Sequence, residues 1–582
     1  MSVKEIIKKL YRTHWRLLTS IIILSVLSIA VRVASPLFLK NVINYVQTVN
    51  TKQLIIWGSI FAVGTIASFI LTSQNSGKIA KFGNLLTQSI SKEAFSSYLR
   101  SEVLDANKIP SDQVVKRILN HTDEIGNKHY SYNLMSFFYQ GTLFVSLVIT
   151  LLIINPWFGL ATVTSIPVYY LISKQVTKIL TRREEKVAES NQQILQMIKD
   201  TAHHLKGIKV LNGIAQEEER YQNLVTEYGK AQRQLEHIRY FNDLNISTLL
   251  SSIIMVGIVT IGGYFITQGY QNLGVLFASI VLLAEVYPSF RYVLSRMVHP
   301  KKIASLIAEV DEILAMKPEN RADTVQQLDE IYSLKAKEVS FDYGPNTKFS
   351  LEDINFDLKK GERLGILGLS NSGKTTLTDL LVKIIRPKQG SILINNCDIN
   401  KVNSYYLREL IACIPQQYSL IRGTFEQNIT YPFPFDEYKY NDALNRCRLK
   451  PLINGLERKD QTIIDNDTSY LNASDRQRLA IANAFYKDSK IYIFDDATSK
   501  MNPELEKDII DEIYRLKNKI ILLISNRIYN LLRCDKILIL NNGRVVEYGK
   551  TSDLLENSKS TLARLVGEQG LAKISQKEKI GS

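Results

Sequence analysis

Beyond His299 this sequence of 582 residues contains no histidine. Whatever chemistry its carboxyl-terminal half performs is done without an imidazole as base, ligand or switch. Cysteine is scarce too: Cys397, Cys413, Cys447 and Cys534 lack metal-binding spacing and read as reduced packing residues. Acidic side chains number 57 against 72 basic ones, for a formal net charge of +15. That excess would suit nucleic acid, but its placement points to a membrane instead, and no nucleic-acid partner is expected.

Charge is missing from whole stretches of the chain. Residues 130–173 carry none, and the turn signal Asn155-Pro156 divides them into two runs, each long enough to span a bilayer. Residues 244–284 repeat the pattern around Gly269-Tyr270-Gln271-Asn272. With the earlier apolar segments, six spans are expected, at about 17–39, 54–74, 132–154, 157–174, 245–268 and 273–295. The loops at about 75–130 and 175–243 are rich in Lys and Arg, as is the amino terminus with Lys4, Lys8, Lys9, Arg12 and Arg16. By the positive-inside rule both termini face the cytoplasm of a multi-pass protein in the cell membrane. The expected domains are a helical membrane domain at 1–315, a linker at 316–329, a soluble α/β domain at 330–570 and a polar tail at 571–582.

In the soluble half, the run IYIFDDATS ends abruptly in Asp495 and Asp496. Carboxylates at the carboxyl end of a buried parallel strand lie where such sheets bind ligands. The matching element is GLSNSGKT, comprising Gly368, Leu369, Ser370, Asn371, Ser372, Gly373, Lys374 and Thr375, with Thr376 opening a helical run. Strand, glycine-rich loop and helix form a phosphate loop: the glycines let backbone amides turn toward phosphate oxygens, Lys374 neutralises them, and Thr375 offers a hydroxyl to Mg²⁺. Asp495 then serves the same metal.

Spans followed by these motifs resemble a half-transporter of the ATP-binding cassette exporter family, of the bacterial multidrug or peptide type, along nearly the whole chain. The resemblance implies ATP and Mg²⁺ as cofactors and an α-helical polytopic domain followed by an ABC-type phosphate-loop ATPase. Tyr343 in VSFDYG takes the place of the aromatic that stacks on adenine, and Gln416 in IPQQYSL that of the glutamine linking the Mg²⁺ site to the membrane part. The segment LNASDRQRLAIANAF takes the place of the family signature, with Asn472, Ala473, Ser474 and Asp475 at its core. The two basic loops resemble those carrying coupling helices.

The chain departs from the family pattern in four motifs. Asp496 stands where the general-base glutamate is usual and is shorter by one methylene, and misplacement by about 1 Å at a reacting centre can cost about a hundredfold. Asn526 replaces the switch histidine and cannot carry its charge. In the signature Leu-Ser-Gly-Gly-Gln, both glycines gain β-carbons, and Asp475 is expected to turn a negative charge toward a triphosphate. The loop usually reading Ser-Ala-Leu-Asp is Ser499-Lys500-Met501-Asn502. ATP binding is therefore expected to survive and hydrolysis to be impaired, in a heterodimer with a better-preserved second half-transporter rather than a homodimer. The expected activity is export of amphipathic small molecules or peptides. The alternatives are a non-pumping ATP-binding regulatory protein and a homodimeric exporter with unusual motifs. Glu285, within the last span, is a candidate for the substrate pathway together with Arg291, or else pairs with Arg291 or a partner's basic residue. Arg32 is expected to snorkel near the outer interface. A cysteine placed at position 156 should react with an impermeant reagent from outside the cell, and one at position 570 only after permeabilisation; the reverse pattern would overturn this topology.

Overall fold

The computed structural model describes residues 1–240, 247–296, 300–319, 328, 330–344, 350–369, 371–465, 468 and 470–567. Most of the expected linker, the polar tail and Ser370 lie outside the described residues. The chain divides into two compact units, Met1–Leu99 with Ile109–Met316, and Arg100–Lys108 with Lys317–Ser582.

The first unit is helical. Its elements are α1 (Val3–Thr13), α2 (Trp15–Gln47), α3 (Thr51–Arg100), the short α4 (Val103–Ala106) and α5 (Ser111–Val115), α6 (Leu134–Ile154), α7 (Pro156–Val210), α8 (Ile214–Tyr240), α9 (Ser247–Thr267), α10 (Leu273–Arg296) and α11 (Pro300–Leu314); of these, α4 falls in the second unit. Among the described residues, five helices are long and apolar enough to cross a membrane: α2, α3, the continuous helical run Ser111–Ile154 that ends in α6, α9 and α10. The start of α7, expected as a further span, is free of charge before Lys174 but is diluted by Thr162, Thr164, Ser165, Pro167, Tyr169 and Tyr170. Length and composition thus support five spans against six expected.

Bilayer-spanning helices lack a hydrophobic drive toward one another, so polar contacts help to fix their register. Between α2 and α3 such contacts form a ladder: Lys78 Nζ to Ser20 Oγ at 3.1 Å, Asn75 Nδ2 to Ser25 Oγ at 2.9 Å, and the Ser28 and Thr72 hydroxyls 2.8 Å apart. On the turn before α7, the Asn155 side chain accepts from the N–H groups of Trp157 and Phe158 at 3.0 and 3.4 Å, with Pro156 at the first helical position.

The second unit is built on a ten-stranded sheet. Its strands come from β1 (Ser333–Asp342), β2 (Ser350–Lys359), β3 (Arg363–Gly368), β4 (Gln389–Ile394), β5 (Cys397–Asp398), β6 (Ile411–Ile414), β9 (Ile491–Asp495), β10 (Ile520–Ile524), β11 (Lys536–Asn541) and β12 (Arg544–Lys550), while β7 (Gly423–Thr424) and β8 (Ile463–Ile464) form a separate pair. The order is β5-β4-β1-β2-β12-β11-β3-β10-β9-β6, with β11, β3, β10, β9 and β6 mutually parallel. Every residue of β9 and β10 is buried, as the unbroken apolar runs require of strands covered on both faces.

The β11–β12 turn braces the phosphate loop. Gly543 has φ +79° and donates its N–H to Ser372 O at 3.1 Å, and a β-carbon there would lie 1.8 Å from Ser350 O. Gly543→Ala should therefore destabilise this unit by at least about 2 kcal/mol, read as a lowered unfolding transition of the full chain.

Candidate functional site

Three parallel strands bring their carboxyl ends together: β3 runs into the phosphate loop, β9 into Asp495 and Asp496, and β10 into Ser525 and Asn526. Ile524 pairs with Asp495 on one side and Ile366 on the other, which sets the three ends level. The carboxyl ends of parallel strands are where open α/β sheets bind ligands. Gly368 approaches Leu540 so closely that a β-carbon would lie 2.7 Å from its carbonyl oxygen, and Gly373 takes φ +105° just before the helix Lys374–Leu381.

Lys374 is buried and burial pulls its pKa below the ordinary lysine value, against the attraction of Asp496 and Asp495. Its ammonium donates to the carbonyls of Gly368 and Leu369 and, at 2.9 Å, to Asn526 Oδ1. Asn526 passes the contact on: its backbone N–H reaches Asp496 Oδ1 at 3.2 Å and its Nδ2 reaches Asp496 Oδ2 at 3.3 Å. The residue in the histidine's place thus bridges the phosphate-loop lysine and the shortened acid, engaging both carboxylate oxygens. Asp496 is itself buried, with φ +49°, a backbone conformation that costs an ordinary residue energy.

Asp495 is 2 % exposed, and its Oδ2 has no hydrogen-bond partner, nor does the buried Ser372 Oγ. Burial, reinforced by neighbouring Asp496, pushes the Asp495 carboxyl up to about 6, while the Thr375 hydroxyl hydrogen-bonds it and opposes the rise. An orphaned carboxylate oxygen beside a hydroxyl fits a divalent cation, and a loop whose lysine is held by neutral acceptors, two backbone carbonyls and an amide oxygen, fits phosphate. Thr375 and Asp495 are the residues that would hold Mg²⁺, whose contribution is to neutralise phosphate charge. Among the described residues, no group of three or more His, Cys, Asp or Glu side chains forms a metal centre, in keeping with a site completed by a hydroxyl and phosphate oxygens. Gln416, expected at this metal, is exposed two residues beyond β6.

The expected Tyr343 ring is 44 % exposed, packs edge-on against Phe341 at 4.9 Å and places its hydroxyl 3.1 Å from Thr376 Oγ1. It presents a ring beside the helix that starts at Lys374.

The signature segment corrects an expectation. Asp475 does not turn its charge outward: it is 4 % exposed, its Oδ2 accepts the Asn472 N–H at 3.2 Å, its own N–H reaches Asn472 Oδ1 at 2.9 Å, and Arg478 pairs with its Oδ1. Asn472 and Asp475 are the first and fourth members of a capping box at the start of the helix Ala473–Lys487. The replacements of Ser by Asn and Gln by Asp therefore compensate each other, and the added charge is neutralised by Arg478. Ala473 and Ser474 still bring their β-carbons to this end.

Two further side chains tie these parts together. Gln477 Nε2 donates to Asp496 O and to Ser499 Oγ, both at 3.2 Å, while its Oε1 accepts from Lys500 N at 3.0 Å. Glu506 accepts from Thr498 Oγ1 at 2.9 Å and Asn530 Nδ2 at 2.8 Å and pairs with Arg527. Gln477 stands in Arg476-Gln477-Arg478, which follows the signature unaltered, whereas nothing local in the sequence marks Glu506.

In the first unit, Glu285 pairs with Arg32 at 2.6 Å rather than with Arg291. The snorkelling expected of Arg32 is overturned as well. Helix α2 continues to Gln47 instead of ending near residue 39, so Arg32 sits mid-helix and finds its partner midway along α10. Arg32 also hydrogen-bonds Tyr139, whose hydroxyl lies 3.1 Å from Ser28 Oγ.

Comparison with known proteins matches residues 18–287 to the ABC transporter transmembrane region and residues 351–499 to the ABC transporter domain, the latter ending before Asn526. The chain is 25% identical over 536 residues to the ATP-dependent lipid A-core flippase of Neisseria meningitidis serogroup A, covering 89% of this chain and 85% of that one. It is 26% identical over 423 residues to the lactococcin-G-processing and transport ATP-binding protein LagD of Lactococcus lactis, covering 70% of this chain and 58% of that one. A solved bacterial Atm1-family ABC exporter with ATP bound shares the fold at a TM-score of 0.79 and 21% identity, covering 95% of this chain and 98% of its own.

The Asp495 carboxyl, at about 6 in the fold and near 4 in an unfolded chain, holds an extra proton in the folded state between those values. Its ionisation therefore opposes folding increasingly as the pH rises from about 4 to about 6, and a cation must displace that proton. The Mg²⁺-dependent part of nucleotide affinity should fall by up to about tenfold per pH unit below 6, and Asp495→Asn should abolish that dependence, both read by calorimetric titration in the presence and absence of Mg²⁺.

Proposed function

The chain is an ABC exporter, a helical transmembrane domain followed by the ABC nucleotide-binding domain of an ATP-hydrolysing transporter, and from that premise we propose that it is the degenerate-site half of a heterodimer. ABC exporters work as dimers in a membrane. In our reading this chain binds Mg²⁺-ATP through Gly368, Gly373, Lys374, Thr375 and Asp495, stacks the base on Tyr343, and contributes little to turnover at its own phosphate loop. With its nucleotide-binding domain in the cytoplasm, the pair moves amphipathic small molecules or peptides outward. The relatives' printed substrates, a lipid A-core and a lactococcin, are amphipathic or peptidic and support that class.

The observation carrying this reading is the double hydrogen bond from Asn526 to Asp496. A general base needs a lone pair directed at water, whereas this carboxylate is short and buried, and a hydrogen bond to each of its oxygens turns it toward Asn526. A homodimeric exporter with unusual motifs is the second reading, and the intact capping box at the signature favours it.

The two readings separate in the purified assembly. Lys374→Ala should weaken nucleotide binding to this chain by at least about tenfold, while Asp496→Asn should leave steady-state ATPase nearly unchanged and loss of the partner's catalytic glutamate should remove most of it. If Asp496→Asn alone removes most of the activity, this chain is a working ATPase and the homodimer reading takes over.

A further inference from the structure

Helix α1 has two unlike faces. One is closed against the first unit: Val3, Ile6 and Ile7 are buried, Tyr11 lies edge-on to Phe82 at 5.2 Å, and the Val3 N–H donates to Asp311 Oδ1 on α11 at 2.7 Å. The other is open and cationic. Lys4, Lys8 and Arg12 follow one another at every fourth residue, forming one stripe with Cβ atoms about 6 Å apart, and Lys9 and Arg16 flank it, all exposed. The acid on this helix, Glu5, accepts the Ser2 N–H at 2.9 Å in a capping box, and its single charge, one turn before Lys8 and Lys9, leaves the face net cationic.

The depth of this stripe is fixed by α2. Exposed apolar side chains begin at Ile22 and Ile23, about 10 Å along the helix from Trp15 at 1.5 Å per residue. Trp15 is itself 57% exposed, with the Arg16 guanidinium 5.9 Å from its ring. Tryptophan with arginine one short step outside an apolar surface belongs at the headgroup level of a bilayer. Because its apolar face is already occupied by protein, α1 cannot insert as a free amphipathic helix would, and only its cations are left to act.

We propose that the stripe Lys4, Lys8, Lys9 and Arg12 binds the phosphodiester headgroups of anionic phospholipids in the leaflet where α2 begins, clamping α1 and, through Asp311, α11. The inference is independent of the heterodimer reading. Basic residues that served only to orient the chain during insertion would show no preference among lipids afterwards.

The test uses the full chain with Trp57→Phe and Trp157→Phe, which leaves Trp15 as the sole tryptophan, in nanodiscs of phosphatidylcholine with phosphatidylglycerol. Quenching by acyl-brominated phosphatidylglycerol, compared with brominated phosphatidylcholine, gives the relative lipid association at Trp15. We expect phosphatidylglycerol to be favoured about tenfold, the preference collapsing toward one in K4Q/K8Q/K9Q/R12Q and in about 0.5 M NaCl. The charge-conserving K4R/K8R/K9R should retain it, and the salt arm leaves the stripe unaltered, so poor folding of the neutralised protein cannot decide the outcome. A ratio near one in the unaltered stripe, or a preference that survives both neutralisation and salt, overturns the proposal.

Discussion

One buried ammonium group, that of Lys374, sets the terms for the nucleotide-binding unit. A lysine drawn into a fold must be given acceptors, and here the acceptors are two loop carbonyls and the Asn526 amide oxygen. That requirement draws the loop after β10 toward the loop after β3, and Asn526 in turn draws in the residue after β9. The chain of contacts from lysine to amide to carboxylate turns three separate strand ends into one site.

The membrane unit meets the reverse problem. In an apolar medium a polar side chain seeks any partner within reach, and the pairs along α2 and α3 and between α2 and α10 are partnerships made within the unit. Arg32 and Glu285 are each about a third exposed in the single chain, with side-chain exposures of 34% and 38%, so the pair is closed but not sealed. An ionised group passing along this face would meet both signs of charge at one level of the bilayer.

The fold class was legible in the sequence because its signals are local and redundant. IYIFD and IILLI read as buried strands from five residues each, and GLSNSGKT carries its own strand, turn and helix context. The signature takes one further step to read: Asp475 looks like a bare charge until it is paired with Asn472 as the fourth and first residues of one helix cap. The Arg32–Glu285 pair was out of reach for a different reason, because its partners stand far apart in sequence and the level of Arg32 in the bilayer depends on where α2 ends. Gln477 belongs to the same class, since its partners at Asp496, Ser499 and Lys500 are brought beside it by the sheet, and so does the contact of Glu506 with Asn530.

Helix α7 runs 55 residues without a break in its assignment, from the cap at Asn155 to Val210, with Pro167 as its internal proline. At 1.5 Å per residue that is a rod about 80 Å long, well over twice the hydrocarbon thickness of a bilayer. Beyond Pro167, where a missing amide proton leaves the rod most compliant, it acts as a lever arm: a rotation of about 5° there would sweep the far end through about 6 Å, one turn of helix. A conformational change too slight to repack side chains near the membrane would thus arrive at the other end of α7 as a displacement large enough to make or break a docking contact.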